Sequence, residues 1–557
     1  MVSMRSLLTL LAIGVLPAQT PYDTVIAGGR IVDGTGNAWY YGDVAIRGSR
    51  IVRVAPAGML RAASARSRID ASGLVVAPGF IDIQSHSRQA FLEGDGRVLS
   101  KITQGITTEI LGEGWTNAPA NDKTMAAQGQ TGRAPIQEFT GARGFDAWLR
   151  AMERHGTSAN FGSFLGAATV RAYVTGTERG APTKAEVAEM RRLVRGAMRD
   201  GAFGLASALI YPPGEYASTA ELIEMAKEMS PLGGVYITHM RSEADRLLEA
   251  IDEALRIGRE GGVPVEIYHL KAAGKRNWSK EAAMIAKIEE ARRRGQDVSA
   301  DMYAYTAGGT GLTACLPPWT AAGGKLFENV RNPEIRARIR AEIEGGKYEW
   351  ENLCELSEPE NVLIVGVRKA ESKRWVGKRL GEIARSMGKN WIDAAMDLIA
   401  ADETRVDTLF FMMSEENVKT QLRLPWIKFG TDAGGFDPQK ATDMVHPRAY
   451  GNYPRILGKY VREEKVLPLE DAIRKMTSAV ARRLSIQNRG LIQEGTFADI
   501  VIFDPATVID RATFDNPHQL STGIKHVLVN GVAVIRDGSH TGAKPGRVVR
   551  GPAYRER

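Results

Sequence analysis

Between about residues 78 and 486 the chain repeats one pattern, a short apolar run followed by a stretch of helical periodicity, and this alternation restricts the fold more than any other feature. The runs fall at 80–83, 107–111, 160–166, 203–208, 234–238, 263–268, 297–302 and 426–431. Strands separated by helices build a parallel sheet, because a parallel connection needs the length that a crossover helix supplies. Eight such units fit a closed ring, so the expected fold class is α/β, a (β/α)8 TIM-like barrel. The stretch 244–260 places Leu247, Leu248, Ile251, Leu255 and Ile257 at helical spacing, an apolar stripe that belongs against the sheet.

The two ends of the chain follow a different grammar. Short alternating runs at 24–31, 43–46 and 50–54, broken at Gly28-Gly29 and at Gly34-Thr35-Gly36, read as strands joined by tight turns. The same grammar returns at 498–503 and 524–535, where Asn530-Gly531 suits a two-residue hairpin. Neither set has enough strands to bury a face alone. Segments 21–77 and 487–550 are therefore expected to pair into one composite β domain, with the barrel at 78–486 lying between them in sequence. An unusually long stretch, about 306–424, separates the seventh run from the eighth. Insertions after barrel strands shape active sites, which marks this one as a lid or substrate-shaping subdomain.

At the N-terminus Arg5 precedes the apolar run 7–16, followed by Pro17-Ala18-Gln19. This pattern reads as a secretory leader at 1–20, too short to span a bilayer, and the mature protein is expected to be exported, periplasmic or secreted. The net charge is +8, but Lys and Arg are interleaved with Asp and Glu, as in Glu189-Met190-Arg191-Arg192, so nucleic acid is not an expected partner. Nor is a membrane once the leader is removed. The two cysteines, Cys315 and Cys354, have no spacing that indicates a disulfide framework or a thiolate metal site.

Polar, metal-capable residues gather where strands should end: Gln84-Ser85-His86 after the first run, Glu113 after the second, His239 after the fifth, His269 after the sixth and Asp432 after the eighth. The chain has eight histidines, and three of them occupy such positions, which scattered surface placement would not favour. Histidine nitrogens and carboxylate oxygens suit a catalytic zinc with an open position. His86, Glu113, His239 and His269 are the candidate ligands, and Asp432 is the candidate catalytic carboxylate that moves the proton in a hydrolysis. Lys271, Tyr303, Arg448 and Arg241 stand beside the same strand ends. Such a cationic cluster points to a small-molecule substrate with a carboxylate, which it would clamp and orient. The alternative for Arg241 and Glu243 is that they start the next helix and pair locally.

These residues resemble the amidohydrolase superfamily and, within it, the N-acyl-D-amino-acid deacylases, or D-aminoacylases. The resemblance covers almost everything after the leader. It is carried by Pro78-Gly79-Phe80-Ile81-Asp82, Gln104-Gly105-Ile106-Thr107-Thr108, Thr238-His239-Met240-Arg241-Ser242-Glu243, His269-Leu270-Lys271-Ala272, Gly430-Thr431-Asp432 and His446-Pro447-Arg448. It implies a barrel with a composite β domain, zinc at the barrel mouth and cleavage of an acyl group from a D-amino acid. It also implies that His239 and His269 are ligands, that Asp432 is catalytic, and that Lys271, Tyr303 and Arg448 hold the substrate carboxylate. The chain departs from the family pattern twice: Gln84 stands where the first strand's other histidine is usual, and Glu113 replaces a cysteine ligand. A neutral amide is a poor zinc ligand, so one firmly bound zinc and a weak or empty second site are expected. Two other readings remain open at this point, a cyclic-amide hydrolase of the dihydropyrimidinase or dihydroorotase kind on the same fold, and an inactive barrel retained as an extracellular binding protein.

Overall fold

The computed structural model describes residues 21–128 and 139–556, so the leader read at 1–20 lies outside the described residues. Eight parallel strands form where the alternation places them: Phe80–Asp82, Ile106–Leu111, Asn160–Ser163 with its continuation Leu165–Gly166, Gly204–Ala208, Val235–His239, Val265–Ile267, Val298–Met302 and Ile427–Phe429. The first three pair in one parallel run, and the series from Leu165–Gly166 to Ile427–Phe429 pairs in a second. First and last strands are tied by the Ser85–Ala433 bridge and by Tyr453, whose Oη lies 3.0 Å from the Ile81 carbonyl and 2.9 Å from that of Phe429.

Alternation of side chains across each strand sends one set inward. Ile81, Ile83, Ile110, Phe164, Ala206 and Ile237 form a buried cluster with Val480 and Ala481 of the helix Ser478–Arg483. The opposite set meets the outer helices. Helix Leu247–Gly261 buries Leu247, Ile251, Leu255 and Ile257, with Leu248 partly buried beside them. It begins three residues later than its periodicity suggests, because Ser242 Oγ accepts the backbone N–H groups of Ala244 and Arg246 and holds that segment in a turn.

The chain's two ends share one nine-stranded sheet. Val75–Pro78 pairs in parallel with Tyr22–Ile31 and antiparallel with Ile500–Phe503, so a single strand joins the N-terminal and C-terminal halves. Asn530 and Gly531 take φ of 49° and 81° in the hairpin between Ile524–Val529 and Val532–Arg536, the left-handed pair that such a tight turn needs.

The long insertion has its own core. Strands Ala307–Gly311, Asp407–Phe411 and Val362–Gly366 form an antiparallel sheet covered by helices that include Pro333–Gly345 and Trp391–Asp402. The cysteine reading is corrected here. Cys315 and Cys354, 39 residues apart in sequence, are joined in a disulfide with their Cα atoms 5.2 Å apart. No spacing rule reveals this pair, because the insertion's fold, not a local motif, brings the two together.

Glu281, which opens the helix Glu281–Arg293, is 6% exposed. One carboxyl oxygen accepts from Gln421 Nε2 at 3.3 Å and the other has no partner. Burial pushes its pKa up to about 7. The unfolded chain loses this proton at an ordinary carboxyl pKa, so the group's penalty on folding grows as pH rises toward 7 and is full above it. Glu281→Gln is expected to leave stability nearly unchanged at pH 4 and to raise it by about 1–3 kcal/mol at pH 8, measured by urea unfolding.

Candidate metal and catalytic site

The first strand ends on Asp82, whose buried carboxylate accepts the Thr431 backbone N–H at 2.8 Å, the Thr431 hydroxyl at 2.6 Å and Lys101 Nζ at 2.7 Å. Lys101 is fully buried and lies 3.6 Å from Glu109, which accepts the hydroxyls of Ser85 and Ser87. These bonds fix the loop carrying Gln84 and His86 against the end of the last strand. Asp432 N donates to Gln84 O at 2.9 Å, and His86 N to Ala433 O at 3.1 Å. Asp432 and His269 both leave their strands with left-handed backbones, φ 48° and 33°. For His269 the turn is held by its N–H bond to Asp301 Oδ1, 2.9 Å long.

Glu113 follows Gly112, whose φ is 114° and where a Cβ would stand 2.4 Å from the Phe164 carbonyl oxygen. Only glycine fits there, and it lets the chain turn Glu113 into the barrel mouth. Glu113 Oε1 lies 3.4 Å from both His239 Nδ1 and His269 Nε2, which are 3.0 Å from each other. Its other oxygen accepts from Gln84 Nε2 at 2.5 Å and lies 3.4 Å from His86 Nε2. His86 Nε2 is 2.9 Å from Asp432 Oδ1, and Asp432 Oδ2 meets Arg448 Nη2 at 2.8 Å. Glu113 is thus common to two groups that could hold an ion, one with His239 and His269 and one with His86 and Asp432.

The first group fits zinc. Tetrahedral bonds of the usual zinc length place ligand atoms about 3.3 Å apart, close to the separations found. Burial and Lys271 disfavour a charge on His269, yet Glu243, Asp432 and Glu113 outweigh them and hold its pKa well above the usual imidazole value. The same carboxylates would favour a metal cation in place of that proton. Glu243 lies 2.9 Å from His269 Nδ1, the carboxylate–histidine arrangement that orients a metal ligand. In the second group Gln84 turns its amide nitrogen to Glu113 and so serves that carboxylate rather than an ion.

The polar groups read as carboxylate clamps separate into different roles. Arg448 is 3% exposed and lies over the Tyr303 ring at 4.3 Å, and its Nε and Nη1 are buried without hydrogen-bond partners. Tyr303 is buried beneath it, with Oη 3.7 Å from Met413 Sδ. Lys271 lines the same cavity but donates to Glu243 Oε1 at 2.7 Å and lies 2.7 Å from His269 Nδ1. Arg241 is corrected: it pairs with both Glu253 oxygens at 2.9 Å and donates to the carbonyls of Glu215 and Ala217, so its fork is engaged in holding a loop. All of these groups line one cavity of about 1070 Å³, to which the insertion adds Trp319, Trp350 and Glu351.

Three residues of this site were not singled out from sequence. Glu243 stands four residues after His239, a spacing that could have marked it as an orienting carboxylate. Asp301 sits at the end of the seventh strand. Glu351 comes from the insertion and accepts the Glu243 backbone N–H at 3.0 and 3.2 Å, and burial together with the Glu243 charge pushes its pKa up to about 8. No local pattern announces it.

Lys271 and Glu243 are 3% and 4% exposed, so removing one strands the other. Glu243→Ala is expected to cost about 3–5 kcal/mol in chemical denaturation, and adding Lys271→Met should recover part of that loss.

The model described as "Amidohydrolase family" matches residues 388–535. A D-aminoacylase from Alcaligenes xylosoxydans xylosoxydans is 35% identical over 533 residues, which cover 95% of this chain and 98% of the relative. A D-aminoacylase structure described by its binuclear metal centre, with one-metal activation and second-metal attenuation, matches with a TM-score of 0.79 at 34% identity. It covers 95% of this chain and 100% of its own. An N-acyl-D-glutamate deacylase from Bordetella bronchiseptica, complexed with zinc and a phosphonate mimic of the tetrahedral intermediate, matches at 32% identity with a TM-score of 0.78 and the same coverage. With the barrel, the shared terminal sheet and this likeness sustained over nearly the whole of both chains, the protein belongs to the amidohydrolase superfamily, in the D-aminoacylase family.

Proposed function

We propose that the protein is a zinc-dependent hydrolase that cleaves the amide bond of N-acyl-D-amino acids, or of dipeptides with a C-terminal D residue, and releases a free D-amino acid. The observation that carries this reading is Arg448: a buried guanidinium with two open donors, beside Asp432, in the cavity that holds the Glu113–His239–His269 group. A buried charge with unused donors favours a planar, bidentate anion, and the substrate α-carboxylate supplies one. The preference for the D configuration rests on the kinship with D-aminoacylase and N-acyl-D-glutamate deacylase.

Glu113, His239 and His269 would hold the zinc, which would supply Lewis acidity toward water and the amide carbonyl. Asp432 Oδ1 accepts the proton released as water attacks and delivers it to the leaving nitrogen. Burial opposes charge on Asp432, but Arg448, His269 and the His86 hydrogen bond outweigh it and keep the carboxylate ionised, ready to accept. Arg448 and Tyr303 fix the substrate carboxylate, and with it the distance from Asp432 to the scissile nitrogen. The leader at 1–20 and the Cys315–Cys354 disulfide support export, since disulfides persist in oxidising compartments.

A panel of N-acetyl-D-amino acids, N-acetyl-L-amino acids and dihydropyrimidines tests the activity. Turnover is expected for the D series, and turnover of the cyclic amides alone would overturn the assignment. Asp432→Asn should lower kcat by about 100- to 10,000-fold, whereas Arg448→Ala should raise KM by about 10- to 100-fold. Metal analysis is expected to find about one zinc per chain, lost in His269→Ala, with a second equivalent gained in Gln84→His.

A further inference from the structure

His446, 6% exposed, lies in sequence between the eighth barrel strand and the helix Arg448–Arg455, and its ring makes two bonds that define its state. Nδ1 accepts the Arg448 backbone N–H at 3.0 Å, and Nε2 lies 2.8 Å from the Ala307 carbonyl oxygen. A backbone N–H can only donate and a carbonyl can only accept, so Nε2 carries the proton and Nδ1 is bare. Burial and the Arg448 charge, joined by Arg455, outweigh the Ala307 bond and Asp432 and hold the ring's pKa well below the usual imidazole value. The rings of Tyr303, Tyr305 and Phe514 meet it edge-on, with centroids 6.0, 5.3 and 5.2 Å away, and fix its plane.

Each bond reaches a different wall of the cavity. Arg448 is the first residue of its helix, where backbone N–H groups have no partner within the helix, and no side chain at Pro447 caps them. His446 caps the helix from outside and so sets the backbone from which the guanidinium extends. Ala307 opens the insertion strand Ala307–Gly311, whose Gly308 and Gly309 line the cavity. A Cβ on Gly309 would stand 3.5 Å from Arg448 Nη2 and 3.7 Å from His446 Cδ2, so this strand runs directly alongside the guanidinium. One neutral ring thus ties the arginine with two open donors to the strand beside it. We infer that His446 is a positioning residue for substrate binding: held as the Nε2–H tautomer, it fixes Arg448 relative to the insertion strand, and so where the substrate α-carboxylate is held. This inference rests on the deacylase reading and adds to it the residue that shapes the carboxylate site.

The test compares kcat/KM of the holoenzyme, read by acetate release, on N-acetyl-D-alanine and on N-acetyl-D-alaninamide, which keeps the scissile amide and lacks the carboxylate. Wild type is expected to prefer the acid, and His446→Ala should lower the acid-to-carboxamide ratio by roughly 5- to 30-fold, through KM rather than kcat. His446→Asn, which keeps an acceptor near the place of Nδ1, and His446→Gln, which keeps a donor near that of Nε2, should fall between. A ratio is insensitive to loss of folded enzyme, and a merely structural role would lower both substrates together. In nitrogen-15 NMR of histidine-labelled wild type, the His446 signals, assigned by their loss in His446→Asn, should show a bare Nδ1 and a protonated Nε2 from about pH 5.5 to 8.5. An unchanged ratio, no preference for the acid in wild type, a fall confined to kcat, or a ring protonated on Nδ1 would overturn the positioning role alone. Inactivity of wild type on every N-acetyl-D-amino acid would overturn the deacylase reading and this inference with it.

Discussion

The buried ion pair of Lys101 with Asp82 is the constraint on which the site depends. Two fully buried charges are costly unless they are hydrogen-bonded, and here the Thr431 hydroxyl bonds both, with Glu109 3.6 Å from the ammonium. The consequence is positional. Asp82 ends the first strand, Thr431 precedes Asp432 after the last, and Glu109 lies on the second strand and holds Ser85 and Ser87. One network therefore sets the relative placement of Gln84, His86 and Asp432, and closes the ring where first and last strands meet. An apolar cluster of equal volume would favour closure without fixing which residue faces which.

A second buried network couples the metal group to the insertion. Glu243 touches His269 and Lys271 through its side chain and receives Glu351 through its backbone. The insertion is thus seated on the residue that contacts His269, and its walls, including Trp319 and Trp350, are placed relative to the candidate metal group by that contact. The indoles are themselves fixed, since Glu342 accepts both Nε1–H groups at 2.9 Å. The cavity walls and the candidate metal group share a hydrogen-bonded frame.

The barrel was legible in the sequence because periodicity is local: eight apolar runs stand where strands form, and the Asn530-Gly531 hairpin follows from two residues' tolerance of left-handed backbone. Residues at strand ends could be named for the same reason, since a strand's end in a parallel barrel faces the mouth whatever the rest of the chain does. Partners were not legible. Arg241 stands two residues after His239 and reads as a clamp, yet Glu253, on the next helix, engages it. Cys315 and Cys354 give no pairing signal in their spacing because their proximity depends on the insertion's packing. Gln84 reads as a defective ligand, and the structure gives it a donor role toward Glu113.

The sequence by itself determined the elements, the mouth of the barrel and the residue types gathered there, since strand period and the chemistry of histidine and carboxylate are properties of short segments. Only the tertiary structure decided which charges are satisfied. Arg448 is indistinguishable from Arg241 as a letter in a sequence. Burial, and donors left without partners, separate the arginine that can take an anion from the one whose fork is spent on a loop.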